Sequence, residues 1–426
     1  MPRALVFSLI VRLLLLSVAL TACTAQSAAQ NTPAASSPAK DTPTPTEASA
    51  PPQTLRVWLP ATLAPETNPH AYERIADRVQ AFAAAHNLTI EIRIKPLEGA
   101  SGMLTTLSAA RLVAPDAVPD VVLLPHTLLE AAAVKGLAFP LTEDTFTTPL
   151  SADDWFPYAR QLATVQSITY GVPFSGDALG MIYHPEAVPT PPTTWNEWLQ
   201  APQPWLMPLG DPQATVLLAL YRAAGGAWED ENGRPTLEEA PLEQTLTLLQ
   251  QAVQNQRLDP ALLALPGDHA LWVRNQGAVQ TLMFTYISHL LPTHDPRRMA
   301  PIPAADGGQP LALADGLLWA LTTPNPSRQP LALALMAHLS DPDFVAQWTE
   351  AAGFLPPRQS CLNAWESDQH RTLAAAILPA LQPGPSQQVS TVLGPIVQEA
   401  AAQVITGKQS PASATQWAIS TLEGGQ

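Results

Sequence analysis

The sequence is poor in cysteine, in basic residues and in apolar runs long enough to cross a membrane. Its 426 residues include only two cysteines, which excludes a small disulfide-stapled scaffold. Lysine and arginine number 21 against 36 acidic residues, for a formal net charge of −15. This charge argues against a nucleic-acid-binding protein, since such a protein presents a basic face to phosphates. Hydrophobic residues make up 46% of the chain, enough for a large buried core.

The amino-terminal segment has the pattern of a secretory signal. After Arg12 comes the apolar run Leu13–Leu20, which is too short to span roughly 30 Å of hydrocarbon as a helix. The run ends in the tetrapeptide LTAC at residues 20–23, which resembles the lipobox of bacterial lipoproteins. The resemblance predicts a signal peptide over residues 1–22 and lipidation of Cys23, where several acyl chains give stable anchoring. The alternative is an ordinary signal peptide in which the cysteine occurs by chance.

Residues 23–53 have the composition of a tether. After the cysteine they read TAQSAAQNTPAASSPAKDTPTPTEASAPPQ, which is almost entirely Ala, Pro, Ser and Thr and contains no pattern that could form a core. A flexible chain of about 30 residues spans roughly 30 Å, and prolines extend it further. We therefore expect a disordered tether that holds a folded body outside the cytoplasm, lipid-anchored to the bacterial cell membrane.

The remainder of the chain alternates strands and helices. Thr54–Leu59 and Thr89–Ile94 alternate apolar and polar residues as strands do, and Tyr72–His86 between them has apolar residues at helical spacing. Pro119–Leu124 is typical of a buried strand, and a helix is predicted over Leu128–Lys135. This alternation predicts an α/β fold with a parallel sheet and right-handed crossovers. In such sheets, ligands bind beyond the carboxyl ends of the strands.

No enzyme motif occurs in the sequence. The chain lacks G-x-S-x-G, H-E-x-x-H and a P-loop, and its nine histidines are scattered. We therefore expect no enzymatic activity, no metal and no cofactor. A carboxylate pair for glycoside hydrolysis stays open, because such pairs are set by distance in space and not by spacing along the chain. Cys361, which has no partner once Cys23 is lipidated, is expected to be inert.

The order of segments resembles the family 1 extracellular solute-binding proteins, which are periplasmic-binding-protein-like lipoproteins of ABC importers. The resemblance covers essentially all of residues 54–426. It is carried in order by TLRVW, FAAAHNLTIEI, PDVVLLPHTLLEAAAVKGLAFPL, YGVPFSGDALGMIYH, PPTTWNEWL, AAGGAWEDENGRPTL, NQGAVQTLMFTY, SDPDFVAQWTEAAGFLPPRQS and VITGKQSPASATQWA. Each segment alone is a weak signal, whereas their order behind a lipobox and a tether is a strong one.

The resemblance implies a fold and a function. The fold is the type II periplasmic binding protein fold, with two lobes that each contain a mostly parallel sheet flanked by helices and are joined by hinge strands. Residues 54–179 and 286–324 would form lobe I, and residues 180–285 and 325–426 would form lobe II. The lobes would close around a ligand by hinge motion. The implied function is capture of a small organic solute, above all a sugar or oligosaccharide, by a monomer that delivers it to ABC permease subunits.

The candidate ligand-binding residues lie where strands end or where the chain is expected to cross between lobes. The carboxylate of Asp177 can accept several hydrogen bonds from ligand hydroxyls, and the alternative is an Asp that fixes its own turn. The ring of Trp58 can stack on a sugar or belong to the core, whereas Trp319 fits the core better. The full set is Trp58, His126, Thr127, Ser175, Asp177, Trp228, Tyr286, Asp315, Trp319 and Phe354.

The sequence leaves both the ligand and the role of the protein open. Leu124 and Thr127 stand where maltose-binding relatives carry an aromatic residue and an acid, which leaves room for a smaller or less hydroxylated solute than a maltodextrin. Two other functions are compatible with the same features. One is a lipid-anchored carbohydrate-active enzyme, which would turn over its sugar. The other is a pair of lobes repurposed as a ligand-sensing lipoprotein.

Overall fold

The computed structural model describes residues 53–146, 148–275, 280–292 and 296–425. The predicted signal peptide, the lipidation site at Cys23 and nearly all of the predicted tether lie outside these ranges. Within them, no helix combines the length and the apolar character needed to cross a membrane.

The described residues form a mixed α/β structure, as the sequence predicts. The strands are β1 Thr54–Pro60, β2 Thr89–Lys95, β3 Val121–Pro125, β4 Thr164–Val165, β5 Ile168–Thr169, β6 Gly171–Tyr183, β7 Trp205–Leu206, β8 Leu282–Tyr286, β9 Arg298–Ala300, β10 Ala312–Leu321 and β11 Leu381–Pro383. The helices are α1 Pro69–His86, α2 Met103–Val113, α3 His126–Val134, α4 Pro157–Leu162, α5 Trp195–Gln200, α6 Thr215–Ala223, α7 Glu239–Gln254, α8 Asp268–Asn275, α9 Gln329–Leu339, α10 Pro342–Ala352, α11 Gln359–Asn363, α12 Asp368–Ile377, α13 Gln387–Ile405 and α14 Pro411–Gly425.

Helix α1 shows how local sequence sets an element. Asn68 caps its amino end by accepting a hydrogen bond from the backbone N–H of Ala71 at 3.2 Å. Asn87 ends the helix in the left-handed region, with φ 52°, a conformation that asparagine tolerates better than most residues. The apolar face predicted from spacing is buried, and Ile75 and Val79 are fully inaccessible.

Nine of the strands form one mixed sheet, and the resemblance implied a mostly parallel sheet in each of two lobes. The order is β2-β1-β3-β10-β6-β8-β7, with β11 beside β10 and β9 beside β6, and β4 pairs separately with β5. Strands β1, β2 and β3 run parallel, whereas β10 is antiparallel to both β3 and β6. The sheet is continuous because β10 lies between β3 and β6, and because the 13-residue β6 runs on to pair with β8 and β9.

Strand β6 is shared between two groups of strands. Its residues up to Leu179 pair with β10, and from Leu179 onward it pairs with β8 and β9. We call β1, β2, β3, β10 and the first part of β6 the first strand group, and β7, β8, β9 and the remainder of β6 the second strand group. At this change of partners stands Gly180, where a Cβ atom would lie 2.9 Å from the Ala300 carbonyl oxygen. The close approach of β9 therefore favours a residue without a side chain.

The segments after β8 pack on different parts of the structure, and the lobe boundaries 286–324 and 325–426 implied by the resemblance stay a prediction. Strand β9 pairs with the second strand group, and Ile302 bridges to Leu311, so the chain returns to the first strand group only along β10. Helices α9 and α10 then pack on α1, where Trp348 donates its indole N–H to the Ala71 carbonyl at 2.9 Å. Helices α13 and α14 pack on α6 and α7 instead. Sequence periodicity could not reveal these contacts, because it defines an element without its neighbours.

Candidate functional site

A cavity of about 360 Å³ lies beyond the carboxyl end of β3, the edge of the sheet where ligand sites are expected. One wall comes from α3, the end of α4 and the start of β4. The opposite wall comes from the end of α6 and the segment after it, and the third from the end of β11 and the segment that joins it to α13. The lining residues are His126, Glu130, Gln161, Thr164, Arg222, Ala227, Trp228, Glu229, Pro383, Gly384, Pro385 and Ser386. Two of the predicted residues, His126 and Trp228, are thus brought together from positions about one hundred residues apart.

A larger cavity of about 720 Å³ lies elsewhere, between α5 and α7. Its lining includes Trp195, Gln244 and Asp306, and none of the predicted site residues contributes to it. It is formed within the segments that accompany the second strand group. The smaller cavity is the better candidate, because its walls come from distant parts of the chain and it lies at the carboxyl edge of the parallel strands.

His126 begins α3 and is only 6% exposed. Its Nδ1 lies 2.8 Å from the Leu162 carbonyl oxygen, and its Nε2 lies 3.4 Å from Oε1 of Glu130. Burial alone would lower the pKa of His126, but hydrogen bonding and charge attraction from Glu130, with a further contribution from Asp315, raise it above its ordinary value. Because both ring nitrogens face acceptors, the geometry favours the imidazolium form.

Glu130 links α3 to the amino end of α13. Its Oε2 accepts a hydrogen bond of 3.0 Å from the backbone N–H of Gln387, the first residue of α13. Burial would raise the pKa of Glu130, but the hydrogen bond and positive charge of His126 lower it. The adjacent Ser386 caps α13 by accepting from Val389 N–H at 3.3 Å and donates its hydroxyl to Oε1 of Glu229 at 2.9 Å. Hydrogen bonds therefore join the walls of the cavity.

Trp228 and Arg222 form the wall opposite α3. Trp228 is partly exposed, and its indole N–H donates to the Leu218 carbonyl at 3.2 Å. The guanidinium carbon of Arg222 lies 5.6 Å from the centre of the Trp228 ring, and its Nη1 donates to the Gly226 carbonyl at 3.1 Å. These contacts hold the indole in place, so that a partly exposed aromatic surface borders the cavity.

Asp177 makes its hydrogen bonds within the protein. Its Oδ1 accepts from the backbone N–H groups of Ala178 at 2.8 Å and Ser288 at 3.1 Å, and its Oδ2 accepts from the Ser288 hydroxyl at 2.6 Å. Burial raises the pKa of Asp177 to about 7 although these bonds oppose the shift, and the negative charge of Asp315 raises it further. The carboxylate thus holds the turn after β8 against β6, whereas the structural alternative considered from the sequence was a turn formed by Asp177 itself.

Asp315 and Tyr286 lie beside Asp177 on the sheet. Asp315 stands directly opposite Asp177 in the β6–β10 pairing, and Tyr286 is opposite Leu179, two residues further along β6. Burial raises the pKa of Asp315, although its hydrogen bond from the Gly316 N–H and the charge of His126 oppose this. Burial and the surrounding carboxylates, Asp315 first, hold the pKa of Tyr286 well above its usual range. Asp315 is thus close enough to His126, which lines the cavity, to raise the pKa of its ring.

Two of the predicted aromatic residues belong to the core. Trp319 is fully buried, with its ring centre 5.3 Å from that of Phe174. Trp58 is 3% exposed, and the Nζ of Lys95 lies 4.7 Å from the centre of its ring. Apolar alternation along a strand shows which residues share one face of the sheet. It does not show whether helices or a ligand cover that face, because the side chains repeat every two residues in either case.

The other three predicted residues do not line the cavity. Ser175 is buried on β6 opposite Leu317, and Thr127 is partly exposed on α3 next to His126. Phe354 stacks on Trp348, with ring centres 5.6 Å apart. The structure therefore places these three outside the set of residues that surround the cavity.

Several lining residues escaped the sequence-based prediction. Glu130 could have been found as the acid four residues after His126 on one helix face, a spacing that lets the two side chains meet. Arg222 and Gln161 lie near helix ends and carry no motif, so no sequence signal points to them. In the part of the chain that the structure describes, no group of three or more His, Cys, Asp or Glu residues could hold a metal ion.

Comparison with known proteins identifies the family. A family profile described as "Bacterial extracellular solute-binding protein" matches residues 77–375, which is more than half of the chain. A search of curated protein sequences gave no match.

Solved structures share the fold at low sequence identity. The sugar-binding protein MalE from Xanthomonas citri superposes with a TM-score of 0.70 at 18% identity, covering 87% of this chain and 97% of that one. Maltose-bound MalE3 from T. maritima gives 0.68 at 15% identity, covering 88% and 100%. An ABC transporter solute-binding protein from Agrobacterium radiobacter K84 in complex with ribitol gives 0.65 at 16% identity, covering 87% and 98%.

These comparisons confirm the resemblance and the fold class predicted from the sequence. The match extends from α1 to α12 and includes the strands β3, β6 and β10. The similar structures cover nearly all of the described residues. The chain belongs to the bacterial extracellular solute-binding protein family and has the α/β fold of its two-lobe members.

Proposed function

We propose that this protein is a lipid-anchored receptor that binds a sugar or polyol outside the cytoplasm and delivers it to an ABC permease. The observation that carries the proposal is the cavity of about 360 Å³ at the carboxyl edge of β3, with His126 on one side and Trp228 on the other. The family supports the extracytoplasmic setting. The LTAC sequence at residues 20–23 supports the lipid anchor at Cys23.

The proposal treats the two strand groups, with their helices, as two lobes. Three segments would cross between the lobes: β6 near Leu179, the start of β10, and β11. Because β11 pairs with Ala312–Ala314 of β10, all three crossings lie side by side. Adjacent crossings form a compact hinge, and a ligand in contact with both walls would favour the closed arrangement.

The chemistry of the walls suits a small, uncharged, hydroxylated ligand. The charges of His126, Glu130 and Glu229 already have partners within the protein, so an ionic ligand would have to compete with these contacts. Their remaining donor and acceptor capacity, together with the Trp228 ring, suits hydroxyl groups and the apolar face of a sugar. The volume lies at the lower end of the usual range for ligand sites, so we propose one or two sugar rings, or a polyol.

A thermal-shift panel of mono- and disaccharides and polyols, including maltose and ribitol, tests this proposal. A bound ligand raises the melting temperature by mass action and should be recovered unmodified, since no turnover is proposed. Trp228→Ala should weaken binding of the best ligand at least tenfold, or about 1.4 kcal/mol, because stacking and burial of the ring are both lost. Trp417→Ala serves as the control, because Trp417 is also partly buried but lies on α14. A panel without any shift, or equal losses in the two variants, would contradict the proposal.

A further inference from the structure

A continuous series of polar contacts connects α4, α3 and α13 at the edge of the cavity. The Leu162 carbonyl at the end of α4 contacts Nδ1 of His126, Nε2 of His126 contacts Glu130, and Glu130 accepts from the backbone N–H of Gln387. Every member is partly or fully buried. The series therefore spans from helices of the first strand group to a helix that packs on α6 and α7.

Glu130 meets Gln387 at the amino end of α13, a helix of 19 residues. The unpaired N–H groups and the helix dipole favour a negative charge there. Glu130 supplies that charge from another helix. The residues just before α13, from Pro383 to Ser386, line the cavity, and Ser386 also binds Glu229 on the opposite wall. The position of Glu130 therefore determines where this wall of the cavity lies.

We propose that His126 is a positioning residue that holds the Glu130 carboxylate on the amino end of α13 and thereby fixes the width of the cavity. The inference rests on the proposed function only in naming this cavity as the ligand site, and its test needs no ligand. Leu162 orients the imidazole ring through Nδ1, which leaves Nε2 directed at Glu130. With the imidazolium in place, Glu130 is held from one side by a cation and from the other by a helix terminus.

The contact between His126 and Glu130 should depend on pH. Around His126, Glu130 on the same helix and Asp315 on β10 favour the imidazolium, while Arg222 and Glu229 face the cavity from the opposite wall. The amino-terminal dipole of α3 opposes the imidazolium. Because the pKa of His126 is raised, the contact is complete below about pH 6.5 and is lost as the pH rises through the raised value. Because the pKa of Glu130 is lowered, the contact persists until the pH falls through that lower value.

Hydrogen exchange of the full-length protein, measured by mass spectrometry on peptides covering the first turn of α13, tests the proposal. His126→Asn keeps a donor at the position of Nδ1 and removes the one at Nε2. It should speed exchange at Gln387 about 3–10-fold at pH 6, after correction for intrinsic rates. The difference between the variant and the wild type should shrink as the pH rises, because the wild-type ring then loses its proton. Glu130→Gln should reproduce the pH 6 effect.

The matched control is His370, whose Nδ1 lies 3.9 Å from Oε1 of Glu350. Glu350 in turn accepts hydrogen bonds from the backbone N–H groups of the two residues that precede α12. His370→Asn should leave exchange at Gln387 unchanged. Equal protection of Gln387 in wild type and His126→Asn at pH 6 would overturn the proposal. So would a difference that stays constant over the whole pH range in which the protein is folded, since that would indicate packing alone. If His126→Asn does not fold, a pH-independent protection of Gln387 in the wild type is the overturning result.

Discussion

Asp177 should make the protein less stable as the pH rises from about 4 to 7. Its partly buried carboxylate is held by Ala178 and Ser288 and faces Asp315 across the strand pair. Burial raises its pKa from 3.8 to about 7. Between these values the folded state holds a proton that the unfolded state has released, so folding becomes less favourable as the pH increases. Above about pH 7 the contribution of Asp177 to the free energy of unfolding stops changing.

The size of the effect follows from the shift. One pKa unit corresponds to 1.36 kcal/mol, so the change from 3.8 to about 7 is worth roughly 4 kcal/mol of unfolding free energy. Asp177→Asn should remove this dependence while keeping the turn. The amide oxygen can accept both backbone N–H groups, and the amide nitrogen can donate to the Ser288 hydroxyl. We expect the variant to match the wild type near pH 4 and to exceed it in stability at pH 8.

Urea unfolding at half-unit pH steps from 4 to 8 measures this difference. The control is Asp230→Asn: Asp230 is an exposed turn residue whose pKa hydrogen bonds from Arg234 lower to about 2, so it stays ionised throughout this range. Its substitution should leave the slope of stability against pH unchanged between pH 4 and 8. If Asp177→Asn shows the same slope as the wild type, or loses stability at pH 8, the reasoning about this carboxylate is refuted.

Two further predictions concern buried side chains. Trp319→Ala should lower the unfolding free energy, measured by urea unfolding, by about 3–5 kcal/mol, because it leaves a large cavity beside Phe174. Any folded variant should retain wild-type ligand affinity in a ligand titration. Cys361 is 1% exposed, and burial raises the pKa of its thiol to about 12. It should therefore react with a thiol reagent at least about 100-fold more slowly in the native protein than in urea, and equal rates would contradict its buried position.

Local pattern was sufficient to predict the elements of the first strand group. The strand TLRVWLP, the amphipathic α1 and the alternating β2 each carry a complete signal within a short window: apolar periodicity, a capping asparagine and a turn residue. Their order then implied parallel pairing, which β1, β2 and β3 show. Here, the information needed to form each element lies within the element itself.

The path of the chain through the sheet and the composition of the cavity needed long-range contacts that no window contains. Strand β10 enters between β3 and β6 after an excursion of more than one hundred residues, and nothing in its sequence names those neighbours. Asp177 shows the same limit at the level of one side chain: a carboxylate that accepts from Ser288, which is 111 residues away, has the same local sequence as one that accepts from a ligand. The cavity joins His126 to Trp228 and Ser386, whose separations along the chain are likewise large.

The central place of β10 has a consequence for how the chain folds as it is made. Strand β10, which lies between β3 and β6, is among the later segments to be synthesised. Helices α13 and α14, which pack on α6 and α7, come last. A nascent chain that lacks residues beyond about Leu311 has a gap between β3 and β6, and one that lacks the final helices leaves apolar faces bare. Neither strand group can complete its core before nearly the whole polypeptide has emerged.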